Sequence, residues 1–78
     1  MSALVWDIRK RHGWASMRGV PNDLVFDVCH VKQVDNGLWV GEYIAGTNYL
    51  DYTRFPGEYP LEELTAALET TIILLKAQ

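Results

Sequence analysis

LVFDVCHVKQVDNGLWVGEYIAGTNYLDYTRF, Leu24 to Phe55, alternates residue by residue and is broken only at Asp35-Asn36-Gly37 and Gly46-Thr47-Asn48. Asn-Gly between two alternating runs signals a hairpin, because both central positions of a type I′ turn need positive φ. The stretch predicts a three-stranded antiparallel meander over Leu24–Gln33, Leu38–Ala45 and Tyr49–Phe55. A turn of two or four residues puts Val25, Cys29 and Val31 on one face with Leu38, Val40 and Ile44. Leu24, Phe26 and Val28 then share the other face with Trp39, Tyr43 and Ala45. Both faces come out apolar, whereas a simple meander normally gives one to water.

Downstream, Phe55-Pro-Gly-Glu-Tyr-Pro60 reads as a rigid connection, with Pro60 suited to the first position of a helix. Leu61 to Lys76 is the clearest helical pattern. Leu61, Leu64, Leu68, Ile72 and Leu75 form one stripe, and Glu62, Glu63 and Glu69 lie toward the positive end of the dipole. The β-branched run Thr70-Thr71-Ile72-Ile73 opposes helix locally, so packing has to hold it. One helix covers one face, and the aliphatic face (Val25, Cys29, Val31, Val40, Ile44) suits the leucine stripe. The aromatic face with Phe26, Trp39 and Tyr43 then needs a cover of its own, from the N-terminal segment, a second copy or another protein.

Upstream, Ser2 to Gly13 carries the punctuation of a short helix. Ser2 is placed to cap, Asp7 is near the positive end, Arg9-Lys10-Arg11-His12 crowd the negative end, and Gly13 stands where a helix would stop. Leu-Val-Trp-Asp-Ile is also rich in β-formers, so Leu4–Arg11 reads as helix or strand, with helix preferred. Trp14–Arg18 reads as an edge strand and Gly19 to Asp23 as a turn. The expected fold is therefore a single α+β domain over residues 1–78: a three-stranded antiparallel meander packed by a C-terminal helix, with a short N-terminal helix or strand.

Composition bounds the function. A chain of 78 residues that is 49% hydrophobic and 22% charged reads as one soluble globular domain. At this size a chain buries only about 60% of its unfolded surface, so modest stability or association is expected. No apolar run reaches the roughly 18 residues of a membrane span. Met-Ser-Ala-Leu-Val-Trp-Asp lacks the positive region and apolar run of a secretory leader. Cys29 is the only cysteine, which excludes an internal disulfide and fits a reducing, cytoplasmic setting. The net charge of −3 is uneven. Arg9, Lys10, Arg11 and Arg18 face Asp7 alone in the first 20 residues, and nine carboxylates outweigh Lys32, Arg54 and Lys76 in the rest.

Catalytic residue patterns are sparse. Cys29 and His30 are neighbours in a strand and point to opposite faces, so they form no nucleophile–base pair. His12 and His30 belong to no ligand-spaced cluster, and no glycine-rich phosphate loop is present. Asp27 and Glu42 are placed to face each other across the hairpin on the helix side. No enzyme activity, metal or cofactor is expected.

A basic segment with aromatics (Arg9, Lys10, Arg11, Arg18 with Trp6 and Trp14) could grip phosphates and stack bases. The helix–strand–strand–strand–helix order resembles the double-stranded-RNA-binding domain in outline, which would imply RNA contacts from the start of the last helix. Glu62 and Glu63 stand there in place of that family's lysines. Phe55-Pro-Gly followed by Pro-Leu-Glu-Glu-Leu-Thr-Ala-Ala-Leu resembles the strand–loop–helix of HicB-like antitoxins over about a third of the chain.

The function expected is a small non-enzymatic protein-binding module, of the kind phages and mobile elements use to block a larger host complex that processes nucleic acid. Trp39, Tyr43 and Phe26 would anchor it, and Asp51, Glu58, Glu62, Glu63 and Glu69 would engage a basic groove. A homodimer through the aromatic face fits the same features. The alternative is a nucleic-acid-binding or antitoxin-like regulator using Arg9, Lys10, Arg11, Arg18 and Trp14.

Overall fold

The structure, a computed structural model, describes residues 3–18, 27–44 and 52–76. Five strands, β1 (Leu4–Arg9), β2 (His12–Met17), β3 (Cys29–Gln33), β4 (Trp39–Ile44) and β5 (Tyr52–Tyr59), precede one helix, α1 (Leu61–Lys76). The strands form one sheet in the order β1-β2-β3-β4-β5, every neighbouring pair antiparallel. The fold is α+β, but the three-stranded meander is overturned in favour of five strands. Leu24–Phe26, Ala45 and Tyr49–Asp51, expected at strand ends, lie outside the described residues.

Of the two additional strands, β1 comes from the segment read as helix or strand with helix preferred, and β2 mostly from Trp14–Arg18, read as an edge strand. Leu4, Trp6 and Ile8 pair with Met17, Ala15 and Gly13, so the apolar residues follow the period of a strand. Gly13 is not a helix stop. It is buried in mid-strand, where an added Cβ would meet Ile8 Cδ1 and lie 2.8 Å from Val31 Cγ2. Arg9 pairs with His12, and the basic run turns the chain with Lys10 at φ 55°. Trp14–Arg18 does contain a strand, but β2 lies inside the sheet and not at its edge.

A second correction concerns register. Gln33 pairs with Trp39, Val34 N–H donates to Leu38 O at 2.8 Å, and Gly37 N–H donates to Val34 O at 3.0 Å. Gly37 has φ 87°, whereas Asn36 is not in the left-handed region. The loop is thus the three-residue Asp35-Asn36-Gly37, a type I turn with a left-handed glycine bulge, and not the two-residue type I′ turn. One extra loop residue moves every side chain of β4 to the other face. Trp39 and Tyr43 therefore lie on the helix side with Cys29 and Val31, and Val40 and Ile44 on the opposite side.

The third correction is to the last strand. Expected over Tyr49–Phe55, it runs as β5 through the Pro-Gly segment read as a connection. Gly41 pairs with Phe55 and Trp39 with Tyr59, so β5 uses two more residues than β4 there, a bulge with Gly57 at φ 95°. Pro56 is tolerated because β5 is an edge strand.

The helix is where the pattern put it. Pro60 sits just before it and accepts the first helical hydrogen bond, from Leu64 N–H at 3.0 Å. Leu64, Leu68 and Ile72 are fully buried, with Leu61 and Leu75 half-buried beside them. In the β-branched stretch Thr71 Oγ1 donates back to Ala67 O at 2.9 Å, and the burial of Ile72 holds the segment helical. The helix approaches β4 so closely that a Cβ on Gly41 would lie 2.9 Å from Leu68 Cδ1. Leu4, Ala15, Cys29, Val31 and Trp39 complete the core.

The open sheet face as candidate functional site

Because the register buries odd-numbered positions of β2, β3 and β4, their even-numbered positions collect on the other side. His12 pairs with Lys32, Trp14 with His30, His30 with Glu42, and Glu42 with Arg54. Four strands thereby bring six polar or aromatic side chains onto one face, and among the described residues no element packs over them. His12, Lys32 and Arg54 are exposed, and Trp14, His30 and Glu42 half-buried.

Three of the rings form a cluster. Ring centroids lie 6.0 Å apart for His12–Trp14, 5.5 Å for Trp14–His30 and 5.9 Å for His12–His30, with interplanar angles of 17°, 30° and 13°. Near-parallel rings at these spacings are offset stacks. His30 Nδ1 is 3.3 Å from Glu42 Oε1. Beside the cluster, His30, Lys32, Val40, Gly41, Glu42 and Arg54 line an open depression of about 220 Å³. Farther out, Arg9 is paired with Asp7 at 3.2 Å and Arg11 with Asp35 at 3.5 Å, all four largely in solvent and of small energetic weight.

The residues expected to bind a protein are dispersed. Trp39 is only 6% exposed and belongs to the core, so the aromatic face it was to anchor is the face the helix covers. Tyr43 is half-buried against Phe55, ring centroids 6.5 Å apart. Glu69 accepts a hydrogen bond from Ala3 N–H at 2.8 Å, and Glu58 accepts one from Asn36 Nδ2 at 2.8 Å. Glu62 and Glu63 are exposed in the first turn of α1. Phe26 and Asp51 lie outside the described residues.

The basic set is partly assembled. Trp14 and Arg9 are on the open face, Lys10 and Arg11 turn the hairpin at its end, and Arg18 follows β2. Asp27 and Glu42 do not oppose each other, since Glu42 faces His30 and Asp27 O accepts a hydrogen bond from Tyr52 at 2.9 Å. Burial, then the charges of Asp27 and Glu42, push the Tyr52 phenol up. Cys29 and His30 do point to opposite faces. Burial and, secondarily, the charge of Glu69 push the Cys29 thiol up to about 12, so it is a neutral core group.

Sequence reasoning missed His12, His30, Lys32, Glu42 and Arg54 as a set. The available signal was parity: His12-x-Trp14 and His30-x-Lys32 both place ring and charge on alternate positions. Among the described residues no group of three or more His, Cys, Asp or Glu is placed to hold a metal ion, and no helix is long and apolar enough to cross a membrane. No protein-family model matches the chain, and no curated protein or solved structure is detectably similar to it, so the reading of this face rests on its chemistry alone.

Proposed function

We propose that the chain is a small binding module that takes single-stranded nucleic acid across its open sheet face. The observation that carries this reading is the ring cluster of His12, Trp14 and His30 with Lys32 and Arg54 on the same face. Bases offer a π-face to stack on such rings whatever their identity, and cations beside the rings track the phosphates. The charge of −3 is unevenly spread: Glu62 and Glu63 stand on the helix, on the far side of the sheet, and the open face carries Arg9, Lys32 and Arg54 against Asp7 and Glu42.

Fluorescence titration with a labelled single-stranded DNA oligonucleotide tests it. Binding should weaken with salt at about 0.7 of a log unit per log unit for each phosphate contact. Trp14→Ala should lose about 1–3 kcal/mol of affinity, the weight of one stacked base. Lys32→Ala and Arg54→Ala should each flatten the salt slope. If Trp14→Ala binds as wild type does, the reading falls.

A second reading, a protein-binding module that blocks a nucleic-acid-processing partner, is favoured by one observation. The outer side of α1 carries exposed Ile73 and Leu74, 49% and 61% accessible, on the same side as Glu62 and Glu63. That reading requires co-purification with a partner to fail for Leu74→Ser and for Glu62→Lys, and to survive Trp14→Ala.

A further inference from the structure

We propose, resting on the nucleic-acid reading above, that the open face also cleaves RNA. His12 acts as general base and His30 as general acid in a metal-free transesterification of the phosphodiester. Such chemistry is served by a general base for the 2′-hydroxyl and a general acid for the leaving 5′-oxygen, roles that imidazole fills most often. Here the two imidazoles come from neighbouring strands, 5.9 Å apart and within 13° of parallel, so that one bound phosphate can lie in reach of both.

Placement distinguishes the two roles. His12 lies between β1 and β3, opposite Lys32 and opposite Arg9, which is itself paired with Asp7, and among the described residues neither ring nitrogen of His12 is tied to a carboxylate. His30 instead has Nδ1 3.3 Å from Glu42 Oε1 on β4, with Trp14 opposite it on β2. Glu42 accepts from Nδ1–H, which fixes the ring and leaves Nε2 for proton exchange. Lys32 and Arg54 line the depression beside His30, where they would meet the non-bridging phosphoryl oxygens. Trp14 completes the set as the surface for an adjacent base.

The step balances without a co-reactant. Neutral His12 takes the proton of the ribose 2′-hydroxyl, and the 2′-oxygen forms a bond to phosphorus. The bond from phosphorus to the 5′-oxygen breaks, and protonated His30 gives its proton to that oxygen. The products are a 2′,3′-cyclic phosphate and a free 5′-hydroxyl, and water returns the two imidazoles to their starting states. Glu42 is a positioning residue and touches no reacting atom.

The test incubates the full chain, in EDTA, with a labelled single-stranded RNA and with DNA of the same sequence. Cleavage is read by gel and the new ends by mass spectrometry. RNA should be cut to 2′,3′-cyclic phosphate ends, and DNA, which lacks the nucleophile, should be bound but left intact. His12→Ala and His30→Ala should each slow cleavage by about 10²–10⁴-fold. Both variants should keep urea midpoints close to that of wild type, which shows that they fold, and cleavage is compared at saturating RNA. Glu42→Gln should alter the shape of the pH–rate profile, where a merely structural role would only scale it. RNA bound as well as DNA but uncut between pH 5 and 8 overturns the cleavage proposal and leaves the binding reading standing. Failure to bind either polymer overturns both. Cleavage that persists in His12→Ala/His30→Ala overturns the assignment of the pair.

Discussion

The two faces of the sheet are made from the same strands and differ in almost everything else. Under the helix, Ala15, Cys29 and Gly41 keep the surface low so that Leu64, Leu68 and Ile72 can pack down on it. On the other side, the alternating neighbours His12, Trp14, His30 and Glu42 stand toward solvent and toward one another. Sequence neighbours such as Cys29–His30 and Gly41–Glu42 thus meet different surroundings, one the packed core and one the open face. Because side-chain period in a strand is two, a single register sets both faces at once. A slip of one residue would expose the core and bury the charges together.

The largest effect should come from breaking the covered face. Leu68 is fully buried, and Leu68→Ala should cost about 2–5 kcal/mol through lost transfer energy and the cavity left behind. A chain of 78 residues has roughly 4–12 kcal/mol in all, so this variant should be close to unfolding. Lys32→Ala and Arg54→Ala on the exposed side should stay within about 0.5 kcal/mol of wild type. Urea midpoints of the three variants measure the contrast. An Arg54→Ala loss equal to that of Leu68→Ala would mean that the open face is structural after all.

How much of this contrast was readable follows from where local signals agree with tertiary ones. The helix was legible because its leucine stripe, acidic first turn and preceding proline all point the same way. Most of β3 and β4 was legible from alternation. Their register was not, because Asp35-Asn36-Gly37 suits a two-residue type I′ loop and a three-residue bulged loop equally, and only the conformation of Asn36 separates them. The β1–β2 hairpin was hidden by residues that mimic helix caps. Gly13 looks like a stop signal, but its purpose is steric, to admit Ile8 and Val31, and both lie away from it in sequence. The candidate site inherited these errors. His12 and His30 become neighbours only through β2–β3 pairing, which does not exist while residues 2–13 are read as a helix.

The turns that set the registers give intermediate effects of opposite sign. Gly37 at φ 87° meets nothing within 4 Å of an added Cβ, so the cost of Gly37→Ala is conformational alone, about 1–2 kcal/mol. Lys10 is a side-chain-bearing residue at φ 55°, and Lys10→Gly should relieve a strain of the same kind and gain up to about 1 kcal/mol. Thermal unfolding of both variants checks the pair. If Gly37→Ala is neutral, the bulged loop does not hold the register that separates the two faces, and the contrast must be maintained by the core alone.

The last effect is absent at neutral pH and appears only in alkali. Cys29 shares a strand with His30 but not its surroundings: burial, then the charge of Glu69, raises the thiol from 9.0 to about 12. Between those values the unfolded chain gives up a proton that the folded chain keeps, so stability must fall as pH rises through that window and stay unaffected below it. Cys29→Ala should be less stable than wild type at pH 7, because it opens a void in the core. Its deficit should shrink steadily above pH 9, since the variant has no thiol to ionise and all other groups are common to both. A deficit that stays constant to pH 11 would mean that the thiol reaches solvent and that the covered face is not sealed at its centre. A deficit that closes places Cys29 and His30 in two different media, though they are adjacent in the chain.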